Sequence, residues 1–242
     1  MLLETGFSVH VLAKDQPLTL LGTSLCLQDI CGTEVPNRIA SSWRLFWALR
    51  PLLLNKDVSL HKRMRLFQAT VSSCALWCAE SWALRATEVR QWRTAQHAML
   101  RRMAGVRRAT DESWVEWIQR ATDKARGLAS ASGVHDWAHV YYERKWNWAG
   151  LVARRSDITL TYRATSWRDT AWTALAFENG LSIPLRPSRR RWTKYEAIIH
   201  NFCTAHGFGK WMEVAEHREV WAARCKDFVT WALNDGGLER VQ

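Results

Sequence analysis

A dense group of positive charges lies in RPSRRRWTKY, which runs from Arg186 to Tyr195. These cations precede a predicted helix, although the dipole at the start of a helix favours negative charge. Phosphate groups would compensate, because they accept hydrogen bonds from guanidinium groups and from the free amides of a first helical turn. We therefore predict a polyanion-binding surface whose helix is anchored by Trp192 and Tyr195; the alternative is a merely solvated face. The basic side chains are those of Arg186, Arg189, Arg190, Arg191 and Lys194.

A second basic group surrounds the end of the third predicted helix. Cations near the last turn of a helix also favour its dipole, so this group has a structural explanation as well as a functional one. Guanidinium groups bind phosphates without reading base sequence, and the two groups together predict sequence-tolerant binding of RNA or DNA. The members of the second group are Arg101, Arg102, Arg107 and Arg108.

Zinc coordination is another chemistry to consider near the C-terminus. Cys203, His206, His217 and Cys225 are spaced C-x2-H-x10-H-x7-C, which supplies enough ligands for a tetrahedral site. However, Cys203 follows Phe202 beside a predicted apolar face. The preferred interpretation is one buried thiol on each of two helices with histidines at the surface, so no metal or other cofactor is predicted.

The sequence lacks the residue patterns that support hydrolysis or polymerisation. Metal-dependent phosphoryl chemistry needs clustered carboxylates, and the ten aspartates include no Asp-Asp pair. The GxxxxGK phosphate loop, the GxSxG elbow and the HExxH metal helix are also absent. We therefore predict no catalytic residue and do not expect enzymatic activity of the isolated chain.

The composition is typical of a folded, basic protein. The 242 residues are 48% hydrophobic, include 16 tryptophans and carry a net charge of +11, which attracts phosphate polymers. From Tyr195 onward seven acidic residues outnumber five basic ones, so the cationic face is expected earlier in the chain. The six cysteines, without a secretory leader, predict reduced thiols in a nuclear or cytoplasmic protein. No apolar run is long enough to span a bilayer, and no membrane partner is expected.

The elements that would position these groups are mainly helices. The alternating residues 7–13 and the following PLTLLGTSLCL predict two short strands, and a helical period begins after Pro36. The first helix is predicted to end before Pro51 and to carry on its inward face Ile39, Trp43, Phe46 and Trp47. Apolar stripes then predict a series of helices. The most regular stripe runs from Leu60 to Cys78 and predicts a helix with Ser59 as its cap. The third helix has Thr87 as its predicted cap and Gly105 as its end. Its predicted inward residues are Val89, Trp92, Leu100 and Met103.

The remaining helices carry most of the tryptophans. Thr110 or Asp111 would cap a fourth helix with Trp114 on its inward face. Packing explains most tryptophans, whereas Trp148 and Trp167 fit no stripe and are predicted to be exposed. Beyond an irregular stretch, two more helical patterns follow, with Gly207 and Gly209 between them.

Seven stretches of the chain carry motifs in a fixed order: LTLLGTSL, IASSWRLFWALRPLL, VSLHKRMRLFQATVSSCALWCAESWAL, WRTAQHAMLRRMAGVRR, ESWVEWIQRAT, RPSRRRW and WMEVAEHREVW. Together they resemble the region after the catalytic palm in reverse transcriptases of non-LTR retrotransposons. Leu21 and Gly22 match that family's Leu-Gly element, and Glu80 with Trp82 matches its Glu-x-Trp element. Cys-Ala replaces the family's Tyr-Gly before that glutamate, Leu185 replaces a glycine before Arg-Pro, and His217 replaces an aspartate.

This resemblance implies a thumb-like helical bundle and a C-terminal extension that help to hold template and primer. It divides the chain into a remnant β-hairpin of a palm-like domain at 1–35, a thumb-like bundle at 36–155, a linker at 156–185 and a C-terminal helical pair with its basic start at 186–242. The family's Asp-Asp motif would lie upstream of the Leu-Gly element, so the chain is expected to be catalytically incomplete. Two alternatives stay open: a helical protein-interaction module with a basic face, and a decayed reading frame without a selected function.

Overall fold

The computed structural model describes residues 16, 18–20, 22–25, 30–155, 159, 161–162 and 194–234. The described residues form a mainly helical protein with a short antiparallel hairpin at its start, as the sequence predicts. The predicted strand at 7–13, Trp167 and most of the stretch 156–185 lie outside the described residues. The hairpin consists of β1 (Leu18–Leu20) and β2 (Thr23–Leu25).

The helices follow the hairpin in a single series. They are α1 (Ile30–Ala48), α2 (Arg50–Leu53), α3 (Leu60–Phe67), a π-helical turn (Gln68–Ser72), α4 (Ser73–Ala75), a 3-10 turn (Ala79–Ser81), α5 (Ala86–Ala104), α6 (Trp114–Ala131), α7 (Trp137–Ala153), α8 (Lys194–Ala205), α9 (Trp211–Glu216), α10 (Arg218–Ala223) and α11 (Cys225–Asn234). Among these helices, none combines the length and the apolar character that crossing a bilayer requires.

The hairpin occupies a stretch that the sequence pattern predicts as one strand. Leu18 pairs with Leu25, and the turn between the two strands contains Gly22 at a φ of 78°. Glycine adopts this left-handed conformation without the steric penalty that other residues incur, so the chain reverses there. The buried carboxylate of Glu34 accepts a hydrogen bond from the Ser24 amide at 2.7 Å, which attaches the hairpin to α1.

Helix α1 begins earlier than predicted. The sequence places its start after Pro36, whereas the helix begins at Ile30 and contains that proline. Proline removes one hydrogen bond within a helix. The early start is favoured because it places Val35 in the core and brings Glu34 to the hairpin. The predicted end before Pro51 is confirmed, since that proline lies in the first turn of α2.

The long apolar stripe from Leu60 to Cys78 does not form the single regular helix that its periodicity predicts. A π-helical turn at 68–72 interrupts it, and Cys78 lies beyond α4 with a left-handed φ of 56°. The wider turn brings the neighbouring residues Val71 and Ser72 into the core together. The Ser72 hydroxyl accepts a hydrogen bond from the Trp137 indole at 2.9 Å, an interaction that apolar periodicity does not reveal.

Helix α6 differs from its prediction at its first turn. Its cap is Ser113 rather than Thr110 or Asp111, and Trp114 is exposed rather than inward. The inward face is made by the small residues Ala121, Ala125 and Ala129. Helix α5, by contrast, ends before Gly105 as predicted. It begins at Ala86, so the predicted cap Thr87 lies within its first turn and the cap prediction is wrong.

The chain divides into two compact units that interleave in sequence. Unit 1 comprises residues 1–78 and 87–137. Its core contains Phe67, whose ring lies 6.3 Å from that of Trp137 in a parallel stack, together with Phe46 and Trp92. The predicted division at 1–35, 36–155, 156–185 and 186–242 stays a prediction.

Unit 2 comprises residues 79–86 and 138–242, and a pair of stacked indoles lies in its core. The rings of Trp146 and Trp221 are 3.7 Å apart and nearly parallel. Each indole donates to the backbone carbonyl of the other residue, at 2.9 Å and 3.0 Å, so the pair closes two reciprocal hydrogen bonds. Phe202 and Phe228 pack against this pair at the edge and the face of Trp146, respectively.

Unit 2 also buries a lysine. Lys145 is fully buried on α7, donates to the Trp82 carbonyl at 2.7 Å and lies 3.8 Å from the centre of the Tyr195 ring. The carbonyl and the ring together replace part of the water that a buried ammonium loses. The predicted glycine separation between the last helical patterns is confirmed, with Gly207 and Gly209 both at positive φ, and the second pattern forms three short helices, α9 to α11.

Candidate nucleic-acid interface

The loop between α5 and α6 carries two of the predicted phosphate-binding arginines. It begins at Gly105, whose φ of 62° ends α5, and it finishes at Ser113, the cap of α6. The Ser113 hydroxyl accepts from the Glu116 amide, and the Glu116 carboxylate accepts from the Ser113 amide, which makes a complete capping box. The capping residue of α6 is thereby fixed five residues after Arg108.

Side chains of α6 hold the backbone of this loop. The Trp117 indole donates to the Val106 carbonyl at 3.1 Å, and the Arg120 guanidinium donates to the Arg107 carbonyl at 3.0 Å. Two successive carbonyl groups of the loop are therefore bonded to the neighbouring helix. This arrangement orders the backbone of Arg107 without using its guanidinium group.

Glu112 is the acidic centre of the loop. Its carboxylate accepts two hydrogen bonds from Arg120, both at 2.7 Å, and one from the Ala109 amide at 3.2 Å. The hydrogen bond from Arg120 is the main cause that lowers the pKa of Glu112 from 4.5 to about 2. Arg108 donates to the backbone carbonyl of Glu112 at 2.8 Å and not to its carboxylate. The guanidinium group that is hydrogen-bonded to the carboxylate is therefore that of Arg120.

The four predicted arginines of this region differ in how far they face solvent. We call the guanidinium groups of Arg101, Arg102, Arg107 and Arg108 the basic surface. Arg101 is half-buried and donates to the Thr122 hydroxyl on α6 at 2.8 Å, and its pKa is lowered by burial and by the charge of Arg102. Arg101 is thus the least available of the four.

Arg102 is exposed and lies over two tryptophans of α1. Its guanidinium carbon is 4.9 Å from the centre of the Trp43 ring and 5.8 Å from that of Trp47. The two rings stack on each other at 6.0 Å with an interplanar angle of 22°. Cation–π attraction positions the side chain while its charge still faces solvent.

Arg107 and Arg108 complete the exposed part of the basic surface. Within the described residues, the Arg107 guanidinium forms neither a hydrogen bond nor an ion pair, and Arg108 bonds only to a backbone carbonyl. In the same part of the chain, none of the four arginines forms an ion pair with a carboxylate. Their positive charge is therefore not cancelled by partners in ion-pair contact.

The first predicted basic group cannot be placed in the same way. The described part of the chain does not include its side chains, which are those of Arg186, Arg189, Arg190, Arg191 and Lys194. The helix predicted to follow them is present as α8, which starts at Lys194. The ring of Tyr195, the second residue of this helix, lies 3.8 Å from the Lys145 ammonium. Burial, with a smaller effect of Glu80 and Glu196, raises the pKa of Tyr195.

The four side chains considered for zinc lie in different environments. Cys203 is buried and its pKa is raised by burial to about 12, whereas burial and the charge of Glu143 raise the pKa of Cys225 to about 11. His206 bonds through Nδ1 to the Phe202 carbonyl at 2.9 Å, and His217 is exposed between α9 and α10. Across the described residues, no three His, Cys, Asp or Glu side chains come together as ligands for a metal ion.

The exposed tryptophans differ partly from those expected. Trp148 is partly exposed and lines a shallow groove with Glu80, Arg144, Asn147 and Leu151. Periodicity missed Trp47 and Trp114, which belong to predicted inward stripes but are exposed. The S-x-x-E spacing of Ser113 and Glu116 is the signal that could have placed Trp114 at the first, solvated turn of α6.

The fold and this site together define a mainly helical protein with an exposed, arginine-rich loop. Over 210 residues the chain is 25% identical to a protein of Caenorhabditis elegans that is described as transposon-derived, an alignment that covers 84% of this chain and 67% of that protein. No protein-family profile matches the chain, and no solved structure matches it. The chain is thus similar, over most of its length, to a protein described as transposon-derived.

Proposed function

We propose that the protein binds RNA or DNA, tolerant of base sequence, through the basic surface. The single observation that carries this proposal is the exposure of Arg102, Arg107 and Arg108, none of which has a carboxylate partner among the described residues. Guanidinium groups of this kind bind phosphate oxygens in bidentate geometry. The loop that carries two of them is held by α6, so little ordering of the backbone would accompany binding.

Within the same proposal, the chain derives from the thumb and C-terminal region of a non-LTR retrotransposon reverse transcriptase. The ordered series of motifs and the likeness to a transposon-derived protein support this origin. A helical bundle after a short hairpin is also the arrangement that the resemblance implies. The proposal assigns no catalytic residue, since the sequence contains no Asp-Asp pair.

The test is the salt dependence of oligonucleotide binding. For the double variant Arg107→Ala/Arg108→Ala we expect weaker binding to every sequence and a salt slope that is shallower by about 1.5 to 2, because each phosphate contact releases slightly less than one counterion. Fluorescence anisotropy with labelled oligonucleotides, measured over a range of salt concentrations, gives both quantities.

The matched control removes the same charge elsewhere in unit 1. Arg90 and Arg126 are exposed, and Arg90 lies 14 residues before the end of α5, about 20 Å along the helix. The double variant Arg90→Ala/Arg126→Ala should keep the slope of the parent protein. A slope that both variants reduce equally would show that only net charge matters. If micromolar oligonucleotide stays unbound at physiological salt, the proposal fails, and an acidic protein becomes the better partner for this face.

A further inference from the structure

Two exposed indole rings flank the basic surface. Trp47 on α1 is 46% exposed and contacts Arg102, while Trp114, the first residue of α6, is 61% exposed and follows the basic loop directly. Leaving so large an apolar ring in water is unfavourable by comparison with burying it. An aromatic ring that stays exposed beside positive charge is a feature of surfaces that bind unpaired bases.

Each ring contacts neighbouring side chains of unit 1. Trp47 stacks on Trp43, and Arg102 lies over both rings. The centre of the Trp114 ring lies 4.8 Å from that of Trp117, whose indole is fixed by its hydrogen bond to the Val106 carbonyl. Neighbouring side chains therefore restrict both rings, while a large part of each surface remains open to solvent. Such restriction lowers the entropy lost when a planar ligand stacks on the ring.

The charge beside these rings indicates which kind of planar ligand fits. Arg102 borders Trp47, and Arg107 and Arg108 precede Trp114 by only a few residues. A nucleic-acid strand offers both required groups, since each base has a π face and each backbone unit carries a phosphate. In a duplex the bases are already stacked on one another and paired, so they cannot lie on these rings. The favoured ligand is therefore an unpaired strand.

We infer that Trp47 and Trp114 stack unpaired nucleobases while Arg102, Arg107 and Arg108 hold the adjoining phosphates. The ligand class is single-stranded RNA or DNA, and this inference rests on the nucleic-acid binding proposed above. It goes beyond that proposal because phosphate binding alone would not distinguish single strands from duplexes.

The experiment compares three probes of about 20 nucleotides. They are a single-stranded oligothymidylate, an abasic strand with the same number of phosphates, and a duplex. The parent protein should bind the oligothymidylate more tightly than the abasic strand. The double variant Trp47→Ala/Trp114→Ala should lose at least about fivefold in affinity for each ring and bind both strands equally, with an unchanged salt slope.

Two further variants separate stacking from loss of structure. Trp47→Phe/Trp114→Phe keeps two aromatic faces and should recover much of the preference for oligothymidylate. Trp77→Ala removes another indole of unit 1, 52% exposed, that follows the end of α4. Arg63, near the start of α3, contacts the Met103 carbonyl at the basic end of α5, whereas Trp77 lies beyond the far end of α4. Trp77→Ala should therefore bind all three probes like the parent.

The possible results separate the two proposals. Equal binding of the oligothymidylate and the abasic strand by the parent protein, or no effect of Trp47→Ala/Trp114→Ala, would overturn the stacking inference and leave phosphate binding intact. The inference would also be overturned if Trp77→Ala weakened binding of the oligothymidylate as much as Trp47→Ala/Trp114→Ala does. Failure of the parent protein to bind any probe would overturn the proposed function itself. Thermal unfolding of each variant, expected to match the parent, establishes that the fold is retained.

Discussion

At the residue scale, Gly150 permits the close contact between the two stacked indoles of unit 2. A Cβ atom at this position would lie 2.3 Å from Nε1 and 2.5 Å from Cδ1 of Trp221. Those distances are far shorter than van der Waals contact, so a side chain would have to displace the indole. The displacement would also strain the reciprocal hydrogen bonds between Trp146 and Trp221.

Gly150→Ala should therefore destabilise the protein by about 1 to 3 kcal/mol, the usual effect of overpacking a core. Denaturant unfolding followed by circular dichroism measures this change. Gly127 provides the control, because it lies in α6 and a methyl group added to its Cα would meet no atom within 4 Å. Gly127→Ala should stabilise the protein by about 0.5 to 1 kcal/mol, and changes of the same sign in both variants would contradict the steric explanation.

Glu112 gives the basic loop a pH-dependent element. Its pKa in the folded protein is about 2, below the ordinary 4.5, so its contribution to stability is present above the ordinary pKa and is lost as the pH falls toward 2. We expect the parent to unfold at a higher temperature than Glu112→Gln at about pH 6, and this difference to shrink below about pH 4.5. Thermal unfolding of both proteins across that range is the measurement. A difference that persists unchanged at the acidic end would refute the role of the Arg120 ion pair.

At the element scale, two helices of unit 1 start in different ways. Ser113 caps α6 through a hydrogen bond to the Glu116 amide, whereas Ser59, at the same position before α3, makes no side-chain cap bond. The residue type alone does not distinguish the two serines. The glutamate three residues after Ser113 does, because it completes the capping box.

Ser113→Ala should cost about 1 kcal/mol, the typical loss for a capping hydrogen bond. Ser59→Ala should change the free energy of unfolding by no more than a few tenths of a kcal/mol. Both are measured by denaturant unfolding. Equal losses would show that the cap bond of α6 contributes nothing beyond the preference of serine for this position.

Periodicity predicted the elements well where one regular helix packs one apolar face. In α5 the predicted inward residues Val89, Trp92 and Leu100 are all buried, and Gly105 follows the helix. It failed in two places for local reasons. The π-helical turn after α3 rotates the stripe, and the capping box at Ser113 moves Trp114 into solvent. Both depend on hydrogen bonds of polar groups, which an apolar pattern does not record.

At the scale of the whole molecule, each unit buries its own aromatic core. Phe67 is fully buried in unit 1, where it stacks on Trp137 and lies 6.5 Å from Phe46. Phe67→Ala should cost about 3 to 5 kcal/mol. Hydrogen exchange of the α5 amides reports the loss in unit 1, and Leu52→Ala, at a half-exposed position, is the matched control. Protection equal to that of the parent would contradict this packing.

The candidate site was predicted only in part. Composition predicts a basic surface, and the clustering of arginines in the sequence predicts that Arg101, Arg102, Arg107 and Arg108 belong to it. Which of them face solvent depends on contacts distant in sequence, such as that of Arg101 with Thr122 and that of Arg102 with Trp43. No local sequence pattern contains those pairings. The differences in solvent exposure among the four side chains are therefore visible only in the folded structure.

The reciprocal bonds between Trp146 and Trp221 join residues 75 positions apart. During synthesis, Trp146 on α7 emerges from the ribosome before Trp221. Its indole therefore lacks its hydrogen-bonding partner until the later helices are made. Contacts of such high sequence separation slow folding, because a long loop must close before they form. Nascent chains that end before Trp221 would therefore expose an unfinished aromatic surface, which a chaperone could recognise.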